Sequence, residues 1–338
     1  MPGARVVPGE ETIPAVAAAL RDPSTEGSMK ILAVLNICGI SGRQNVSYYV
    51  DTIRSLLLQT HGVKEPQNLK VAISSCASLP ECRLSLERAF GDYVTYNWIP
   101  GRYPLGVTFN DTVDQCVKHF GAFDGYLYID SGVSLWGQWG MVEFMAQWHQ
   151  ETKNAAISAV ATSNDTGFEW WGIPMEPGVY TLPVGKAFNM HFQLFDEEWR
   201  KAYGRILPDL FASDTSESVF TFMAAGIKRK VQIHRSLSVL HAHSMDGASS
   251  GFRGKIIFPG VPGQKTMDQI YEEGKGLGFG YEECSPDKKW VHDPGKFTAD
   301  TGEAIDPVAL RDFIKENLYV HPPVFDYQHI HREFVPGQ

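Results

Sequence analysis

The chain has 338 residues, 43% of them hydrophobic, and a formal net charge of -9. That is enough apolar material for a sizeable core, in one large domain with additions or in two, and it excludes wholesale disorder. The negative charge and the lack of a long Lys/Arg block argue against a nucleic-acid partner, because affinity for a phosphate backbone needs clustered cations.

Five cysteines (Cys38, Cys76, Cys82, Cys116 and Cys284) are widely spaced, with no Cys-x-x-Cys. This argues against a disulfide framework or a four-thiolate zinc site. No apolar stretch approaches the roughly 20 residues of a bilayer span. The amino terminus shows no charged-then-apolar leader. The expectation is a soluble, cytoplasmic protein without a transmembrane segment.

Residues 1–28 mix Pro, Gly, Ala and charge and read as a flexible segment, with room for a short helix over 13–20. Residues 31–37 form a continuous apolar run, the mark of a strand buried on both faces. A loop carrying Gly39, Gly42 and Arg43 leads to a helix over 46–59, where Tyr49, Ile53, Leu56 and Leu57 share one side. Further strands are predicted at 69–74, 94–98 and 126–129, and further helices at 80–90 and 108–119. Strand and helix alternate, so the fold class is α/β with a mainly parallel sheet.

The alternation then loosens across a segment holding Trp136, Trp139, Trp148, Trp170 and Trp171. A helix is expected over 216–227, ended by Gly226 and the basic Lys228-Arg229-Lys230. One or two strands fit 231–243, and a Gly/Ser-rich loop fits 244–255. Beyond residue 259 come loops and short helices, one over 308–317, and a tail with His321, His329 and His331. The division expected is a main domain over 29–245 and an extension over 246–338 that packs on it.

Chemistry gathers at the end of the predicted fourth strand. Tyr126 to Ile129 is apolar and stops on Asp130-Ser131-Gly132. A carboxylate there points into the crevice where open α/β sheets bind ligands. A second reading is that Asp130 caps a helix following the strand.

The order of these pieces resembles GT-A-fold glycosyltransferases, in particular the large inverting family of nucleotide-sugar transferases, over about residues 30–245. Leu35-Asn36-Ile37 resembles its first strand end, and Ser55-Leu56-Leu57-Leu58-Gln59 its first helix. Gly106-Val107-Thr108-Phe109-Asn110 resembles its glycine-led helix, and Asp130-Ser131-Gly132 its metal motif. Two departures stand out. The family's base-binding acid has no counterpart in Val71 to Ser78, where Ser75 takes its place, and the Asp-x-Asp motif is reduced to Asp-x-Gly.

The resemblance implies a Rossmann-like sheet flanked by helices and a divalent cation, Mn2+ or Mg2+, held by Asp130 with His241 or His243. It implies donor contacts from Asn36, Arg43, Ser75, Asn110, Arg253 and Lys255, the last two on the Gly/Ser loop. Asp214 or Glu217 would take the proton of the acceptor hydroxyl; both also fit a helix-capping signature. Trp170 and Trp171 offer aromatic faces to the acceptor's sugar rings. The function implied is metal-dependent, inverting transfer from a UDP- or GDP-type nucleotide sugar to a glycan or other hydroxyl acceptor. The alternatives are a catalytically weakened sugar- or protein-binding module on the same fold, or a nucleotidyltransferase.

Overall fold

The computed structural model describes residues 29–38, 43–59, 68–101, 103–130, 133–135, 140–153, 156–162, 179–182, 184, 191–209, 219–241, 267–277, 306–319 and 330–337. The first half alternates strand and helix. It runs β1 (Ile31–Cys38), α1 (Arg43–Gln59), β2 (Leu69–Cys76), α2 (Pro80–Phe90), β3 (Thr95–Ile99), α3 (Leu105–Phe120) and β4 (Gly125–Ile129). Then come β5 (Val133–Ser134), α4 (Met141–Thr152), β6 (Ala156–Thr162), β7 (Val179–Thr181), β8 (Phe192–Asp196), α5 (Glu197–Tyr203), α6 (Val219–Gly226) and β9 (Val231–His241). The chain closes with α7 (Met267–Gly274), α8 (Pro307–Leu318) and β10 (Glu333–Val335).

The ten strands of the described residues join one mixed sheet, in the order β10-β3-β2-β1-β4-β8-β6-β9-β5, with β7 on β9. The central run β3-β2-β1-β4 is parallel, and β8 joins β4 antiparallel. The chain steps outward from β1 to β2 and β3, then crosses to place β4 on the other side of β1. The carboxyl ends of β1 and β4 therefore flank a topological switch point, where crevices of open α/β sheets form.

Helices cover both faces. On one face Leu32, Val34, Tyr126, Tyr128 and Phe195 pack under α3, α5, α6 and α8. On the other, Ala33, Leu35, Leu127, Ile129 and Leu194 pack under α1, α2 and α4. Even and odd residues of β1 and β4 thus serve different layers, as the two-residue strand period requires.

Several boundaries differ from the sequence expectation. Helix α1 begins at Arg43, so Arg43 stands on a helix and not a loop. Its polar neighbours Gln44 and Asn45 carry no apolar period, which is why periodicity begins the helix only at Val46. Helix α3 starts directly after Pro104, with Gly106 in its first turn. Strand β9 is a single strand whose pairing with β6 shifts between Ala159 and Val160, a bulge within one element. The capping reading of Asp130 fails, because the next described element is the strand β5.

The sequence pattern also gave no sign of β5, α4, β6, β7, β8 and α5, which fill the segment where the alternation loosens. Helix α4 buries Met141, Val142, Met145, Ala146 and His149, a helical spacing that the nearby tryptophans obscured. The expected helix over 13–20 and the loop over 244–255 lie outside the described residues.

The C-terminal elements are fastened to the core. Helix α8 packs Leu310, Ile314 and Leu318 into the cluster that contains α6. Strand β10 pairs antiparallel with β3. The Arg332 guanidinium reaches the buried Asp111 carboxylate of α3 at 2.7 and 2.9 Å. Gly337 lies so close to Asp92 and Val94 that a Cβ there would come within 2.9 Å of backbone atoms. Among the described residues, no helix is long and apolar enough to cross a membrane.

Candidate functional site

A row of polar side chains crosses the sheet on its α3-facing side, near the carboxyl ends of the parallel strands. Asn97 of β3 is registered with Ser74 of β2, and Ser74 with Asn36 of β1. The last β1–β4 pair is Leu35 with Ile129, so Asp130 lies one residue beyond it, level with Asn36. The last β4–β8 pair is Ile129 with Phe192, so His191 faces Asp130.

The covered end of this row is tied to α3. Ser74 donates its hydroxyl to the Thr108 carbonyl at 3.0 Å. The Asn97 amide donates to the Asp111 carboxylate and the Thr112 hydroxyl, both at 2.9 Å. At the other end, Asp130 and His191 are joined twice. The Asp130 N–H donates to the His191 carbonyl at 2.8 Å. His191 Nδ1 lies 3.0 Å from Asp130 Oδ2. A carboxylate only accepts, so Nδ1 carries the proton in this contact.

Between the two ends the bonding stops. Asn36 is 3% exposed, and among the described residues neither its Nδ2 nor its Oδ1 has a partner; Asn97 Oδ1 in the same row is unpaired too. Gln193, two residues along β8 from His191 and registered with Tyr128, is 0% exposed, and both its amide atoms are likewise unpaired among the described residues. The buried Ser134 hydroxyl on β5 is unpaired as well. Leaving such a group unsatisfied costs about 1–3 kcal/mol each. Natural interiors rarely carry that cost without a ligand or a functional reason.

The donor set can be tested against a hard divalent ion. Asp130 supplies a carboxylate, and Asn36 places a buried, unpaired amide oxygen level with it one strand away. Such ions take carboxylate and amide oxygens, and Mg2+-type ions keep waters and substrate phosphates as further ligands. The residues therefore fit the group. Among the described residues no three His, Cys, Asp or Glu side chains cluster as a complete metal cage.

The other expected site residues fall in three groups. His241 ends β9 with its backbone registered opposite Val133, whose N–H donates to the Asp130 carbonyl at 3.2 Å. Only the backbones of His241 and Arg43 are described. Asp214, Glu217, Trp170, Trp171, His243, Arg253 and Lys255 lie outside the described residues. Ser75 and Asn110 are described and are not brought to the row. Ser75 alternates onto the other face, with its hydroxyl 2.5 Å from that of Ser78. Asn110 spends its amide inside the core, accepting from the Leu207 N–H at 3.0 Å and donating to the Leu207 carbonyl at 2.7 Å. It also reaches the Asp209 carboxylate at 3.3 Å. It pins the segment after α5 to α3, which explains a buried Asn in mid-helix without a ligand.

No family model matches the sequence, and no curated protein matches it. Among solved structures, the mannosyltransferase of Pyrobaculum calidifontis, in complex with GDP-Man and Mn2+, superposes with a TM-score of 0.51. The match covers 88% of this chain and 78% of that one, at 11% identity. The chain shares the fold of that mannosyltransferase, a mixed α/β sheet flanked by helices. At that identity the likeness speaks for the course of the backbone and not for individual side chains. Within this fold the row of Asn36, Asp130 and His191 lies at the topological switch point. His191 and Gln193 were missed from sequence, and the one available signal was a lone His opening the short alternating stretch Phe192-Gln193-Leu194-Phe195.

Proposed function

We propose that the protein is a GT-A-type, metal-dependent, inverting glycosyltransferase. It moves a sugar from a UDP- or GDP-type nucleotide sugar to a glycan or other hydroxyl acceptor. The observation that carries this reading is Asp130 at the switch point, level with the unpaired, buried amide of Asn36. The glycosyltransferase fold and the sequence order of motifs support it.

Asp130 and Asn36 would hold Mn2+ or Mg2+, with His241 or His243 contributing from the end of β9. Bound there, the ion supplies positive charge that offsets the charge developing on the departing diphosphate. Asn36 also has an amide N–H to offer a phosphate or hydroxyl oxygen. Arg43 at the start of α1, and Arg253 and Lys255 further along, are assigned to the donor's phosphates. Asp214 or Glu217, just before α6, is assigned the proton of the acceptor hydroxyl, and Trp170 and Trp171 the acceptor's sugar faces. Residues 29–245 form the catalytic unit in this reading, and 246–338 the extension.

The test is a thermal-shift screen of UDP-, GDP-, CMP- and dTDP-sugars, each with Mn2+ and with chelator. A bound donor raises the melting temperature by mass action. One donor should stabilise the protein only with metal, and its hydrolysis should then follow Mn2+. No response to any nucleotide sugar would remove this reading. Pyrophosphate release from a nucleoside triphosphate and a sugar phosphate would replace it with a nucleotidyltransferase.

A further inference from the structure

Resting on the reading of Asp130 as a cation-holding carboxylate, we propose that His191 is its positioning residue: from the more buried side, the imidazole fixes the orientation of the more accessible carboxylate. Three observations meet here. The Nδ1 to Oδ2 contact is 3.0 Å. The two side chains differ in exposure, 10% for His191 and 27% for Asp130, so the imidazole is the more buried partner and the acid the more accessible one. The backbone bond from the Asp130 N–H to the His191 carbonyl, 2.8 Å, holds the two residues level.

The sheet ladder alone would register β8 on β4 without any side-chain bond at this position. What the imidazole adds is a rotational constraint on a carboxylate that no cluster of acids surrounds among the described residues. Carboxylates that bind metals are themselves commonly hydrogen-bonded, and losing such a supporting partner typically weakens metal affinity about 10–100-fold. His191 therefore acts through Asp130 and touches neither sugar nor acceptor.

The geometry makes the role specific to one ring nitrogen. Asn carries its amide N–H near the position of Nδ1, and Gln carries its own nearer Nε2. The experiment titrates Mn2+ into the full chain with GDP, and in parallel with UDP, following free Mn2+ by its paramagnetic resonance signal. Far-ultraviolet circular dichroism and thermal melts check that each variant is folded. His191→Phe, which keeps the ring and loses the donor, should weaken Mn2+ uptake about 10–100-fold. His191→Asn should recover most of the loss, and His191→Gln should not. In an Asp130→Ala background, His191→Phe should change Mn2+ uptake no further.

Unchanged uptake in His191→Phe, or rescue by Gln and not Asn, would overturn the positioning role and leave the transferase reading standing. Wild-type protein that takes up no Mn2+ with either nucleotide would remove both. Should His191→Phe not fold, the Asn and Gln pair decides the matter by the same readout.

Discussion

Strand β8 is five residues long, and its two ends treat polar groups in opposite ways. At the far end, Asp196 caps α5 by accepting the Trp199 N–H at 2.8 Å. The same carboxylate meets His149 Nε2 at 3.1 Å and the Arg229 guanidinium, which also bonds Glu198. Burial raises the Asp196 pKa, but the bonds from His149, the Trp199 N–H and Arg229 outweigh it and hold the acid below its ordinary range. At the near end, His191 faces Asp130, and the buried amides of Asn36 and Gln193 have no partners among the described residues. The Asp196 carboxylate is saturated and ties the layers together, although His149 Nδ1 beside it is buried without a partner among the described residues; at the switch point whole amides stand open, ready for a ligand.

The comparison can be broken from either end. The largest effect is expected at the saturated one. Arg229→Ala leaves Asp196, a side chain 9% exposed, short of its main cation. Breaking a buried pair from one side costs about 3–5 kcal/mol, read as a lowered midpoint in urea unfolding. Nucleotide-sugar binding by whatever fraction remains folded should match wild type. At the open end, Asp130→Asn should reduce metal-dependent donor hydrolysis about 100-fold or more, the scale on which pre-organised charge stabilisation acts. Its urea midpoint should stay near wild type. An Asp130→Asn protein that lost stability and kept metal-dependent activity would reverse the assignment of the two ends.

Acid should act on the saturated end. Because the folded Asp196 pKa is depressed, its stabilisation is complete above the ordinary carboxylate value of about 3.9 and is lost as pH falls through the lower folded value. The stability gap between wild type and Asp196→Asn should therefore be widest at neutral pH and close below about pH 4. The smallest effect concerns Asn36. Replacing an unpaired buried amide by an apolar group of similar shape is close to neutral or stabilising. Asn36→Leu should raise the urea midpoint by the equivalent of about 1 kcal/mol while weakening donor binding about 10-fold. A loss of stability instead would mean that the Asn36 amide is structurally satisfied.

Much of the first half was legible because its signals are local. The run at 31–37, the helix over 80–90 and the apolar stretch ending on Asp130 each carry their own period or boundary. These fixed the α/β alternation and pointed to the end of β4. The second half was less legible. Helix α4 was hidden among tryptophans and glycines, and β6, β8 and β9 are short or bulged strands whose order cannot be read along the chain.

What only the tertiary structure decided is pairing across long separations. Asp130 meets His191 from 61 residues away. Asn110 answers Leu207 from 97 residues away, and Arg332 answers Asp111 from 221. Sequence period shows which face of a strand is buried, because that is set within a few residues by side-chain alternation. It cannot show which strand lies alongside, because the hydrogen bonds of a sheet are made between segments whose separation leaves no local trace. That is why Asp130 was visible from the chain alone, while its imidazole partner, and the unpaired amides beside it, emerged only once the sheet was assembled.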